Sequence, residues 1–134
     1  MDFSTYVRNA LLNWIKGTAF PSAPTNLYIA FYSSDPGRSG LSGTDITTSV
    51  RAAGRLAIAS SGWTAITDDG TARKIENNAG LSIGASASTI SSTHIGIWDA
   101  SSGGNFIAKA VAPYSFIAGT SYSIKIGDLE LIFD

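Results

Sequence analysis

The sequence predicts a mainly β protein, an antiparallel, jelly-roll-like β-sandwich of about eight strands that follows one N-terminal amphipathic α-helix. Apolar residues recur with a helical period only near the N-terminus. From residue 27 onward, short apolar or alternating segments are separated by clusters of Gly, Ser and Asp, a pattern typical of antiparallel β proteins. The chain has 134 residues and no cysteine. We therefore expect a single domain over residues 1–134 whose core needs no disulfides.

The N-terminal helix is expected over residues 1–17. Asp2 or Ser4 is suited to cap its start, and Gly17 supplies the glycine that commonly follows a helix. The apolar face of this helix either covers one end of the sheet or docks on a neighbouring subunit. Its members, spaced three or four residues apart, are Phe3, Val7, Leu11 and Trp14.

The strand region is expected over residues 27–134. Its first segment, 27–32, is apolar throughout, which indicates a strand buried on both faces. Each following segment is bounded by turn-forming residues. The segments that fit strands are 27–32, 55–60, 62–66, 72–76, 80–83, 93–98, 105–112, 121–126 and 129–133.

Two connections stand out in this region. Residues 99–105 read as a hairpin loop whose glycines supply positive φ angles. Residues 33–52 form a long loop without a core pattern, and loops of this length are uncommon unless they are functional or disordered. The long loop carries Arg38 and Arg51. It is either a mobile surface loop or an arm that becomes ordered on a partner.

Charged residues are sparse, at 14% of the chain against about 25% in typical proteins. A surface with so few charges does not keep free monomers apart. The composition therefore favours a component of an assembly over a free enzyme. Nine basic and ten acidic residues give a net charge of −1, so no basic patch points to nucleic acid.

Targeting and membrane segments are not expected. The chain begins Met1-Asp2-Phe3-Ser4, with an acid where a signal peptide carries positive charge. No run of 18 apolar residues occurs, so we expect no transmembrane helix.

The sequence offers little chemistry. One histidine and no cysteine leave scattered carboxylates as the only metal ligands, and we expect no catalytic residues, no metal and no cofactor. Gly80 to Gly84 match the pattern GxSxG around Ser82. A nucleophile elbow requires a helix after the serine, and the Ser/Thr-rich residues that follow have no helical period.

His94 and Trp98 are expected on the face of their strand opposite Ile95 and Ile97, toward solvent or an interface. The three tryptophans, Trp14, Trp63 and Trp98, raise an alternative in which aromatic rings stack on sugars. Core or subunit contacts are the more common use of such residues.

Three segments along the chain resemble a family of small phage virion proteins, labelled tail or tail-fibre-like proteins. The first is the helix and its end, residues 3–20. The second runs from Pro24 through Asp35-Pro36 and a glycine-rich loop to Arg55. The third comprises residues 93–108 and the closing 127–129. The resemblance implies a β-rich structural subunit, present in many copies on the particle, and no enzyme. Capsid decoration proteins have similar size and composition, so tail and capsid locations stay open.

Taken together, we expect a bacteriophage virion structural protein that oligomerises and attaches to or decorates the particle, as a tail-associated or capsid decoration (cement) subunit without catalysis. Its expected partners are copies of itself and other phage structural proteins, with no nucleic acid and no membrane, and its place is the virion after assembly in the host cytoplasm. The alternative is a receptor- or glycan-binding module at a tail tip, with a host-surface glycan as ligand. The candidate interface residues are Phe3, Val7, Leu11, Trp14, Arg38, Arg51, His94 and Trp98.

Overall fold

The computed structural model describes residues 1–68 and 70–133; residues 69 and 134 of the predicted β region lie outside the described residues. Antiparallel strands dominate, and one long helix lies near the N-terminus. The elements in chain order are β1 (Asp2–Phe3), α1 (Thr5–Ile15), β2 (Asn26–Tyr32), α2 (Thr47–Val50), β3 (Leu56–Ala59), a 3-10 turn (Ser60–Gly62), β4 (Thr67–Asp68), β5 (Arg73–Glu76), β6 (Leu81–Ala85), β7 (Ile90–Trp98), β8 (Phe106–Phe116), β9 (Ser121–Ile124) and β10 (Glu130–Phe133). The predicted fold class, mainly β with one N-terminal helix, is confirmed.

The strands form three antiparallel sheets. The largest has the order β1-β8-β7-β2-β3, and the smaller ones are β10-β5-β4 and the pair β6-β9. The β7–β8 hairpin is the longest ladder and runs from Ile90 opposite Phe116 to Trp98 opposite Phe106. The predicted hairpin loop at 99–105 closes it, with Gly103 and Gly104 both at positive φ.

The main core lies between the five-stranded sheet and the two smaller sheets. Ile29 and Phe31 of β2 and Ile97 of β7 are fully buried and contribute one side. Ile83 of β6 and Ile124 of β9 belong to the same cluster and contribute the other. This packing of sheet against sheet is the sandwich-like arrangement that the alternating strands predict.

A second, smaller core covers the opposite face of the large sheet. It is built from Ala30, Tyr32, Trp98 and Phe106. Two glycines allow it: a Cβ on Gly96 would lie 2.6 Å from Phe106, and a Cβ on Gly40 would lie 2.6 Å from the same ring. The large sheet is therefore buried on both faces near its centre, as predicted for segment 27–32.

Three local expectations are wrong. The helix begins at Thr5 and not at residue 1, because Asp2 and Phe3 pair with Lys109 and Ala108 of β8 as a short strand; its end at Ile15 agrees with the prediction that Gly17 follows the helix. Residues 62–66 form no strand; a 3-10 turn begins the segment and only Trp63 makes an isolated bridge.

The third difference concerns the long loop 33–52, which contains a helical turn, α2, and packs on the chain itself. Pro36, Ile46 and Val50 are buried, and Thr47 Oγ1 accepts a hydrogen bond from the Phe31 backbone N–H. Widely spaced anchors of this kind leave no periodic signal in the sequence.

No helix within residues 1–68 and 70–133 has the length and apolarity needed to cross a membrane.

Candidate functional site

The start of α1 is fixed to the large sheet by Ser4. The Ser4 backbone N–H donates to Ile107 O at 2.8 Å, and its side chain accepts from Val7 N as the predicted cap. At the other end, Gly17 has a φ of +94° and its N–H donates to Trp14 O, as expected for a glycine after a helix. The helix is thus held by its N-terminus.

The C-terminal half of α1 is largely uncovered. Ala10 is the one buried residue of the helix. Four large apolar side chains between residues 12 and 20 are more than half exposed, and together we call them the N-terminal apolar surface: Leu12 (59%), Trp14 (58%), Ile15 (67%) and Phe20 (51%). They are four of the ten exposed large apolar side chains in the described part of the chain, so exposed apolar area is concentrated here.

Two depressions flank the helix. On one side, Val7 and Leu11 line a cavity of about 340 Å³ together with Phe3, Ile132 and Phe133. The centroids of the Phe3 and Phe133 rings lie 5.6 Å apart. Phe3 therefore reaches this cavity from β1, although Phe3 is not part of the helix. On the other side, a groove of about 330 Å³ separates α1 from the segment that begins at Phe20 and ends at Pro24. Of the candidate interface residues, Phe3, Val7 and Leu11 therefore line one cavity beside α1, whereas Trp14 lies on the exposed C-terminal half of the helix.

Arg38, in the long loop, lies beside β1 and the start of α1. Its Nε donates to Asp2 Oδ2 at 3.2 Å, and Arg8 Nη2 donates to the other carboxylate oxygen at 2.5 Å. Partial desolvation would raise the pKa of Asp2, but the hydrogen bonds from the two guanidinium groups outweigh it and hold this pKa below its usual value. The ion pairs of Asp2 with Arg38 and Arg8 therefore link the long loop to β1 and α1.

Arg51 lies apart from the residues around α1, and His94 lies in a cleft that Asp2 also lines. Arg51 Nη1 donates to the backbone oxygens of Gly54 and Arg55, so it closes the turn before β3. His94 Nδ1 lies 2.9 Å from Thr93 Oγ1, and its half-buried ring lines a shallow cleft with Asp35 and Lys109.

The interface role predicted for Trp98 does not fit its place in the structure. Trp98 is only 6% exposed, its Nε1 donates to Tyr32 Oη at 3.0 Å, and the Arg55 guanidinium lies 4.1 Å above its ring. Trp98 does lie on the face of β7 opposite to that of Ile97, as predicted, but the second core covers the face that carries Trp98. Trp63 is also half-buried against the main core, so neither ring is an open platform for sugars.

Arg55 is a residue that the sequence analysis missed. Its Nη1 donates to Ala100 O at 2.8 Å and Gly103 O at 2.9 Å, which ties β3 to the β7–β8 hairpin. Burial raises the pKa of the neighbouring Tyr32 hydroxyl, which therefore stays protonated and lies 3.4 Å from Gly40 O as a donor. One signal was available: a cation directly before an alternating strand in a chain with few charges.

The residues considered for catalysis are not arranged as a site. Ser82 lies in β6, where it pairs with Ser123 of β9, and β6 continues to Ala85. The helix that a nucleophile elbow requires therefore does not follow Ser82. Within residues 1–68 and 70–133, no group of three or more metal-ligating side chains comes together.

Comparison with protein families gives one match. The model of a family described as podophage GP4 fiber I protein gp80 matches residues 2–132. The chain belongs to this family. Podophage fibre proteins of this family are structural components of the phage, and the chain is accordingly a phage tail-fibre-like structural protein of the virion, associated with other phage structural proteins. The predicted resemblance is confirmed. No curated protein matches the chain.

Proposed function

We propose that the chain is a repeated subunit of a phage fibre and that it assembles with copies of itself through the N-terminal apolar surface. The observation that carries this proposal is the concentration of exposed apolar side chains on the C-terminal half of α1. Leu12 and Ile15 lie three residues apart and share one side of the helix. An apolar surface of this kind marks a protein interface.

The energetics favour repeated contacts over a single pair. Each of the four side chains is already partly covered, so burying the rest contributes about 1 kcal/mol apiece. Two copies that meet through this surface would gather about 8 kcal/mol, which is comparable to the roughly 4–15 kcal/mol lost on association. Closed symmetry, in which each subunit makes contacts with two neighbours, supplies the additional contacts.

The low charge of the chain supports the same conclusion. With 14% charged residues, few charged groups must be desolvated when subunits meet. Ser, Thr and Gly supply small uncharged surfaces that pack closely and still form hydrogen bonds. Phe3, Val7 and Leu11 line the cavity beside α1, and Arg38 is bonded to Asp2 of the same cavity, so these candidate residues adjoin the helix that carries the proposed interface.

The proposed place is a fibre rather than the capsid shell, because the family is described as a fibre protein. We infer that the subunit is non-catalytic and is incorporated during assembly in the host cytoplasm. Quantitative mass spectrometry of purified particles tests the location. A small symmetric set of copies supports a fibre, whereas a copy number that scales with the capsid subunit contradicts it.

The oligomeric state of the purified full chain tests the assembly. We expect the wild type to form an oligomer in sedimentation equilibrium, and the double variant Leu12→Ser/Ile15→Ser to dissociate to monomers. The matched control is Ile66→Ser, because Ile66 is 69% exposed but lies just before β4. A wild-type monomer at high concentration, or a double variant that associates as strongly as the control, contradicts the proposal.

A further inference from the structure

The groove of about 330 Å³ between α1 and residues 20–24 is mostly apolar, and we call it the apolar groove. Val7 and Ala10 line it from the helix, and Leu27 and Ile107 line it from the large sheet. Its volume lies at the lower end of the range of about 300–1,000 Å³ that ligand sites occupy. The groove is therefore suited to one large side chain.

The wall of the groove opposite α1 is formed before any partner arrives. Pro21 and Pro24 both line this wall, and each fixes a backbone φ angle. Directly after them, Thr25 O accepts a hydrogen bond from the Ser60 N–H at 3.1 Å. A wall that is already rigid loses little conformational entropy when a side chain enters the groove.

One charged residue, Asp99, belongs to the described lining of the groove, and it is half-buried. Its two carboxylate oxygens each accept one hydrogen bond from Asn105, from the backbone N–H at 2.7 Å and from the side-chain amide at 2.8 Å. An ionised carboxylate accepts about four hydrogen bonds, so Asp99 has capacity for another donor. The groove therefore fits a side chain that is largely apolar and carries a single donor.

Trp14 has this chemistry on the surface of the molecule. Of the ten large apolar side chains that are exposed in the described part of the chain, Trp14 is the one that carries a hydrogen-bond donor. It is 58% exposed. A tryptophan side chain buries about 150–250 Å² when it is covered, and tryptophan is among the residues that contribute most to the binding energy of interfaces.

Trp14 lies beside the groove of its own copy without lining it. It follows Ala10 by four residues, so it lies on the side of α1 that borders the groove. Phe20 belongs both to the lining of the groove and to the N-terminal apolar surface. The groove is therefore continuous with the surface proposed for assembly, and a copy that packs on this surface brings its own Trp14 to the groove.

We propose that the apolar groove receives the indole ring of Trp14 from a neighbouring copy, with the indole Nε1–H donating to the Asp99 carboxylate. This inference rests on the proposed assembly through the N-terminal apolar surface and specifies one contact within it. The indole ring and the groove are different parts of each copy. Each copy therefore supplies its Trp14 to one neighbour and accepts Trp14 from another, a heterologous contact that repeats around a symmetry axis.

Complementation between two defective variants tests this contact. Trp14→Ser removes the indole ring and keeps the groove, whereas Ala23→Trp fills the groove from its exposed wall and keeps Trp14. In sedimentation equilibrium, we expect each variant alone to associate about thirtyfold more weakly than the wild type, as for truncation of a tryptophan that dominates an interface. In an equimolar mixture, native mass spectrometry should show a complex with one copy of each variant, because the indole ring of one fits the groove of the other.

Two further variants serve as controls. Ala118→Trp adds the same ring at another exposed alanine, beyond the end of β8, and should associate as strongly as the wild type. Trp14→Phe keeps an aromatic ring and removes the donor. We expect it to associate about tenfold more weakly than the wild type, as for a lost hydrogen bond to a charged group.

Four results would each overturn the inference: wild-type association of either defective variant, no mixed complex in the mixture, wild-type association of Trp14→Phe, or equal losses in Ala23→Trp and Ala118→Trp. The double variant Leu12→Ser/Ile15→Ser separates this failure from failure of the proposed function. If it dissociates while Trp14→Ser and Ala23→Trp assemble normally, the groove contact is wrong and the assembly surface stands. A wild-type monomer contradicts both.

Discussion

The buried amide of Asn77 is predicted to be one of the most important polar groups for stability. Asn77 is completely buried. Its Nδ2 donates to Ala79 O and Lys125 O, both at 2.8 Å, and its Oδ1 accepts from Leu129 N at 2.9 Å. The bond to Ala79 stays within the turn after β5, and the other two join the end of β5 to residues 125–129, which lead into β10.

Replacing Asn77 with alanine removes all three bonds and leaves the buried Leu129 N–H without its acceptor. At about 1 kcal/mol of net stabilisation per hydrogen bond, we expect Asn77→Ala to lower the free energy of unfolding by about 3 kcal/mol. For a domain of this size, the midpoint of thermal unfolding should fall by roughly 10 °C.

Urea unfolding followed by tryptophan fluorescence measures this loss, at one fixed protein concentration because association also stabilises the fold. The control is the neighbouring Asn78→Ala. Asn78 is exposed and donates to Ser61 O and Trp63 O, so we expect a loss below about 1 kcal/mol. The reasoning is refuted if Asn77→Ala costs less than about 1 kcal/mol, or if the two variants lose equal stability.

Two further predictions concern the outer face of the large sheet. Gly96→Ala places a Cβ 2.6 Å from Phe106 and 2.8 Å from Tyr32, and this overpacking should cost about 2 kcal/mol in urea unfolding; a loss below about 0.5 kcal/mol would show that the rings move aside freely. Hydrogen bonds from Lys109 and the Gly37 backbone hold the pKa of Asp35 below its ordinary 3.8. The ionised Asp35 therefore stabilises the folded state above about pH 4, and this stabilisation is lost as the pH falls through the lowered pKa. Asp35→Asn should therefore lose less stability than the wild type on acidification, and an identical acid dependence would contradict the contribution of this pair.

The main strands and the helix end could be predicted because their signals are local. The apolar run at 27–32 has enough length to indicate burial on both faces, and Gly17 marks the end of α1. The hairpin at 99–105 was recognisable from its glycines for the same reason.

The remaining features depend on contacts between distant residues. β1 has only two residues, too few for any periodicity, so Phe3 was assigned to the helix. The anchors of the loop 33–52, such as Pro36 and Val50, are separated by polar residues. The burial of Trp98 depends on Gly40 lying against its ring, a contact across 58 positions that no local pattern records.

The surroundings of α1 could be predicted in part. The helical period places Val7, Leu11 and Trp14 on α1, where the structure has them, while their role in an interface stays a prediction. Leu12 lies outside the apolar stripe that the spacing indicates and Ile15 lies beside it, because apolar residues extend over most of the circumference at the end of α1.

Chemical protection of a single introduced cysteine tests the assembly most directly. The chain has no cysteine of its own, so Ile15→Cys on the N-terminal apolar surface and Ile66→Cys as a control each create one unique thiol. Maleimide labelling is measured on the assembled protein and again after dissociation. We predict that the thiol at position 15 is protected only in the assembly while the thiol at position 66 reacts at the same rate in both states. Equal reactivity of position 15 before and after dissociation would contradict assembly through the N-terminal apolar surface.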